Sequence, residues 1–171
     1  MNWPEPRWAA RLPSKLVVNL ATLGPLGRNL PAPGTWGSAA GIFYAVVFFR
    51  ALPWPTTLVL TVFLSWVAVA ICGEAERRLG KSDPGCVVLD EFVVMPLVFL
   101  GSRWAFGGYW PEWLVLLTGF ALFRLFDILK PLGIARLQRW PGGWGVVADD
   151  FAAALAACAV LHGIAFLAVR W

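Results

Sequence analysis

The chain has 171 residues, of which 59% are apolar and 14% charged, with eleven Trp and twelve Phe. Soluble domains average nearer half apolar and a quarter charged, so the composition excludes a disordered tail and a nucleic-acid-binding module and argues against a water-soluble globule. A net charge of +4 in a chain of mean hydropathy +0.69 reads as membrane topology; the length suits one domain of about four to six spans.

Residues 1–30 form a mixed N-terminal segment, with Trp3 and Trp8 among Arg7, Arg11 and Lys15 and a short apolar run from Leu16 to Leu23. Such a segment is expected to lie at the headgroup level as an interfacial helix. It lacks a signal-peptide pattern, so the N-terminus is expected to be retained. Gly24-Pro25 and Gly27 end the run, and residues 31–171 are expected to form a single helical membrane domain. Its five candidate spans are Trp36–Leu52, Thr56–Cys72, Cys86–Leu100, Trp113–Leu129 and Phe151–Val169. The expected fold is therefore all-α, a polytopic bundle of about five transmembrane helices. Pro96 and Gly119 are expected kink or close-packing points.

With five spans, one side receives ten Lys and Arg and the other only Arg50, Arg103 and Arg170. The positive-inside rule then places the N-terminus in the cytoplasm. On the same face fall Asp90 and Glu91, just inside the third span, Asp127 near the end of the fourth, and Asp149 and Asp150 at the start of the fifth. A charge inside a span costs ~2.5–3.5 kcal/mol on insertion scales, so such groups are functional by default. Five carboxylates at one level repel one another unless a cation joins them, and oxygen-only ligands suit Mg²⁺ or Mn²⁺.

Arg124, Asp127 and Lys130 follow at i, i+3 and i+6, which sets a carboxylate between two cations suited to a phosphate. The bland alternative is a salt-bridge ladder with Lys130 at the helix C-terminus. Asp149-Asp150 follows Gly142, Gly143 and Gly145, and one of the pair could serve as a helix N-cap. Pro33-Gly34-Thr35-Trp36-Gly37-Ser38 leads into the first span; Thr35 or Ser38 could cap it, or its free N–H groups could hold a phosphate. Cys72, Cys86 and Cys158 support neither a disulfide framework nor a zinc site. Cys72 to Arg78 fits a C-x5-R spacing, but Glu74 and Glu76 inside it would repel a phosphate. His162, the one histidine, sits deep in the fifth span as a packing or hydrogen-bonding residue. Acids, cations and no covalent nucleophile together suggest metal-assisted hydrolysis of a lipid phosphomonoester.

In its motifs the chain resembles the phosphatidylglycerophosphatase A family of bacterial membrane enzymes. The matching pieces are PGTWGS at Pro33–Ser38, DP and DEF across Asp83–Phe92, FRxxDxxKP at Phe123–Pro131 and GGWGVVADD at Gly142–Asp150. The resemblance implies Mg²⁺-dependent hydrolysis of phosphatidylglycerophosphate from the inner leaflet to phosphatidylglycerol and phosphate. It also implies a multi-pass protein of the bacterial inner membrane with a cytoplasmic active site. Carried over by position, Asp90, Glu91, Asp127, Asp149 and Asp150 are the expected catalytic and metal-binding acids, holding one or two Mg²⁺. Arg124, Lys130 and Thr35 are the expected phosphate-binding residues. Val94, Gly133, Gln138 and the run Phe151–Ala154 depart from the family pattern, and Gln138 removes any role assigned there to an acid. No nucleic-acid partner is expected, and a homo-oligomer is left open. The rival reading is a cation transporter or channel, which would set its ionisable groups near the bilayer midplane.

Overall fold

The structure is a computed structural model that describes residues 5–131 and 133–170, the last two of these without their side chains. Trp3 and the Arg170 side chain lie outside what it describes. After a 3₁₀ turn at Trp8–Arg11 come α1 (Ser14–Ala21), α2 (Pro25–Asn29) and α3 (Pro33–Tyr44), which runs on into a π-turn, Ala45–Phe49. Next are α4 (Trp54–Leu79), α5 (Leu89–Val98), α6 (Ser102–Phe106) and α7 (Glu112–Leu129). A 3₁₀ turn at Ile134–Arg139 leads into α8 (Gly143–Arg170). Among the described residues there is no strand, and the fold is all-α as expected.

The five expected spans are not five long helices. Among the described residues only α4 and α8 are long and apolar enough to cross a membrane. The third expected span shrinks to α5, whose 10 residues rise only ~15 Å. A turn closed by the Val87 N–H on the Pro84 carbonyl at 2.8 Å precedes it, and Gly101, at φ +73°, turns the chain just after it. The fourth becomes the 18-residue α7, which carries Glu112, Arg124 and Asp127. The expected N-terminal helix is two short helices, and Val17 and Ala21 of α1 are fully buried where α1 packs on α4.

At the centre stands α5, packed against α3, α4 and α8, with Val94, Met95, Leu97 and Val98 fully buried. Glycines let the backbones approach. A Cβ on Gly37 would sit 2.7 Å from Val88 Cβ, and one on Gly41 would strike the Met95 side chain, so α3 lies close along α5. A Cβ on Gly143 would strike the Val69 carbonyl, and one on Gly73 would lie 2.7 Å from the Gly143 nitrogen. The start of α8 is thereby pressed onto α4. Gly119 is a close-packing point, seated against the Phe99 ring. Large apolar side chains such as Phe43, Phe63, Leu117 and Phe166 stay exposed, an outward face for which water is a poor solvent. Among the described residues the chain runs between the two ends of the bundle along α3, α4, α5–α6, α7 and α8.

Candidate functional site

At one end of the bundle α5, α7 and α8 meet through charged side chains, and α3 joins them through Ser38. Residues 84–88 are anchored by the Val88 N–H, which donates to the Ala21 carbonyl at 2.9 Å, and α5 begins at the next residue. Asp90 and Glu91 therefore occupy the first turn of α5, where the positive end of the helix dipole favours carboxylates. They lie nearer the helix start than the span limits had implied.

Glu91 faces the first turns of α3. A Cβ on Gly34 would collide with its carboxylate, so glycine is needed for this approach. Ser38 Oγ lies 2.6 Å from Glu91 Oε2 and 2.8 Å from the Gly34 carbonyl, with one proton to donate between them. From α7, Arg124 Nη1 donates to Glu91 Oε2 at 2.9 Å, to Asp127 Oδ2 at 2.8 Å and to Ser38 Oγ at 3.3 Å. One guanidinium nitrogen thus joins α3, α5 and α7.

Lys130 does not continue the helical spacing of Arg124 and Asp127. It caps α7 in the left-handed conformation, at φ +44°, ahead of Pro131. Released from the helix, its ammonium pairs with Asp149 Oδ2 of α8. Burial alone would lower this ammonium, but the hydrogen bond and charge of Asp149, with Asp150 and Asp127 behind, outweigh it and hold Lys130 above its ordinary value.

Asp149 and Asp150 are not N-caps. The helix starts at Gly143, six positions earlier, because Gly143 and Gly145 are packed as helix rather than loop. Both acids are buried, and Asp150 lies within electrostatic reach of Asp90, Asp127, Glu91 and Asp149. All five expected acids and both expected cations are brought together. Thr35, in contrast, is exposed on the first turn of α3, and Ser38 is the hydroxyl that touches Glu91.

Three contributors escaped the sequence reading. Asp83, another acid within reach of Asp90 and Asp149, accepts from Gln138 Nε2 at 2.6 Å; the motif DP was the available signal. Cys72, fully buried on α4, lies against the Asp90 backbone amide. Glu5 accepts from the Gly143 N–H at 3.0 Å and from Arg77 Nη1 at 2.5 Å, which ties the N-terminal segment to the start of α8. No local signal marks that contact.

As the side chains are oriented, no three His, Cys, Asp or Glu among the described residues are grouped to hold a metal ion. Two buried carboxylate oxygens, Asp90 Oδ1 and Asp149 Oδ1, nevertheless have no hydrogen-bond partner. Buried acceptors of this kind are expensive to leave unmade, and a hard divalent cation is a partner that fits an all-oxygen donor set.

Fold and site together define a protein that, among the described residues, is all-helical, with two apolar helices of membrane-crossing length and an acid cluster paired with Arg124 and Lys130. Its family is shown by comparison. The model of the family Phosphatidylglycerophosphatase A matches residues 19–165. A Phosphatidylglycerophosphatase A of Haemophilus influenzae is 34% identical over 152 residues, covering 87% of this chain and 89% of that protein. One of Escherichia coli K12 is 29% identical, covering 85% and 79%. A Bacteroides thetaiotaomicron protein, named provisionally as a phosphatidylinositol-3-phosphatase, is 37% identical, covering 81% and 86%. No solved structure matches. The chain belongs to the phosphatidylglycerophosphatase A family, and as such it is a phosphomonoester hydrolase.

Proposed function

We propose that this protein removes the terminal phosphate of phosphatidylglycerophosphate at the cytoplasmic face of a bacterial inner membrane, releasing phosphatidylglycerol and phosphate. The observation that carries the chemistry is the pair of partnerless oxygens on Asp90 and Asp149 beside Arg124 and Lys130. In this reading Asp90, Glu91, Asp127, Asp149 and Asp150 hold one or two Mg²⁺, which supply a polarised phosphoryl oxygen and a water acidic enough to attack. Arg124 and Lys130 turn from their carboxylates to the phosphoryl oxygens and offset the charge that develops there. Thr35, exposed on the first turn of α3, adds a hydroxyl beside that helix's free N–H groups. A carboxylate of the cluster takes the proton of the attacking water. The new O–P bond forms as the ester P–O bond breaks, and the carboxylate passes that proton to the lipid alkoxide, which leaves as the alcohol.

The five passages of the chain are read as membrane crossings, with α5 and α6 together completing the third and α1 lying at the interface. Basic residues concentrated at the acid end support a cytoplasmic site. The bilayer supplies the apolar surroundings that the exposed Phe and Leu side chains require. A transporter is disfavoured, because these acids crowd one end instead of lining the midplane. The Bacteroides relative supports a second reading with the same chemistry, in which the substrate is a phosphatidylinositol 3-phosphate.

The test is phosphate release by detergent-purified protein, with Mg²⁺ or with EDTA. The substrates are phosphatidylglycerophosphate, phosphatidylinositol 3-phosphate and soluble glycerol 3-phosphate. Metal-dependent release that prefers the first is the expected result. Preference for the inositol lipid would transfer the assignment to it, and release unaffected by EDTA would remove the metal. No release from folded protein under any divalent ion would overturn the phosphatase reading.

A further inference from the structure

A cavity of about 690 Å³ lies at the other end of the bundle, where the π-turn after α3, the starts of α4 and α7, the end of α5, and α6 come together. Small-molecule sites are typically of this size. Its floor is apolar, with Phe49, Phe99 and Phe106 among the lining residues. Its polar groups are of a different kind from those of the acid cluster. Arg50 Nη2 pairs with Glu112 Oε2 at 2.7 Å, and Arg103 Nη1 donates to the Arg50 carbonyl at 3.0 Å. Among the described residues no carboxylate pairs with Arg103, so two guanidiniums face one carboxylate and a positive charge is left over. Trp54 and Trp104 stand exposed beside them, the amphipathic aromatics that settle at headgroup depth. Along α7, Leu116 of the cavity and Asp127 of the acid cluster are ~16 Å apart by helical rise, too far for one headgroup to touch both.

We propose that this cavity is a second lipid site, which holds an anionic phospholipid of the opposite leaflet with its phosphate on Arg103 and Arg50 and an acyl chain among the phenylalanines. Charge selects the occupant, and the apolar floor demands a chain that a free phosphate lacks. The inference rests on the membrane reading of the fold and not on the phosphatase reading.

It is tested by native mass spectrometry of the full chain in detergent with added phosphatidylglycerol, phosphatidylcholine or inorganic phosphate. Phosphatidylglycerol should be retained over phosphatidylcholine, with inorganic phosphate failing to displace it. R103Q should lower that retention about tenfold, as loss of a charged hydrogen bond implies. E112Q should raise it about threefold, because Arg50 is freed from an exposed ion pair. A variant that merely loosened the cavity would lose lipid in both cases, so the opposite signs are diagnostic. Equal retention of the two lipids, displacement by inorganic phosphate or loss in both variants would overturn the proposal. So would a raised KM for phosphatidylglycerophosphate in R103Q with phosphatidylglycerol retention unchanged, since the cavity would then belong to the substrate site.

Discussion

Arg124 Nη1, shared by Glu91, Asp127 and Ser38, sets the orientation of three helices with one nitrogen. In Asp127→Asn the amide oxygen still accepts from Arg124, so the fold is kept. Phosphate release should fall about a hundredfold or more, the scale seen when one electrostatic group of an active site is lost. Near-normal turnover in folded protein would remove Asp127 from the site. Lys130→Met leaves the Asp149 carboxylate buried without its counter-charge, and should cost ~2 kcal/mol of stability given the partial exposure of the lysine. Adding Asp149→Asn should restore the melting temperature but not the activity, and thermal unfolding with a parallel phosphate assay separates the two. The acids and cations were legible because a charge in an apolar segment stands out. Thr35 is the hydroxyl expected at the phosphate, and that Ser38 touches Glu91 instead was not legible, because both lie in one glycine-rich motif. Only the helical phase, one turn on from Gly34, decides which hydroxyl meets Glu91.

Helix lengths were harder to read. Hydropathy alone cannot separate α5 from the residues just before it or the turn after it, since all are apolar, and α5 came out at two thirds of the expected length. The start of α8 was misplaced for the opposite reason. Gly142, Gly143 and Gly145 read as a loop, yet the last two are helical because only hydrogen fits against Val69 and the Trp140 carbonyl. Glu5 then takes the Gly143 N–H that the helix start leaves free. Glu5→Ala should remove about 1 kcal/mol of end-capping and speed amide exchange over residues 143–150. Turnover should fall severalfold and recover in part in Glu5→Gln, whose carbonyl can still accept. Unchanged exchange in Glu5→Ala would show that the N-terminal segment does not hold α8.

Across the whole molecule, the chain travels between an acid-rich end and an arginine-bearing one. The order of passages was legible from the alternation of apolar runs with polar connections; the depth of each was not, because side-chain packing sets it. If the acid end is cytoplasmic, a cysteine at Lys81 should stay unlabelled by an impermeant maleimide in intact spheroplasts. One at Gly108 should react, both in a chain whose Cys86 and Cys158 are replaced by Ser. The reverse pattern would invert the topology.

Cys72 is fully enclosed, and around it lie Asp90 and Asp150, whereas Cys86 and Cys158 are only partly buried. A small alkylating reagent should consume those two first and reach Cys72 only when α4, α5 and α8 part. Its modification rate is then a native clock for opening of the cluster, readable by mass without any engineered probe.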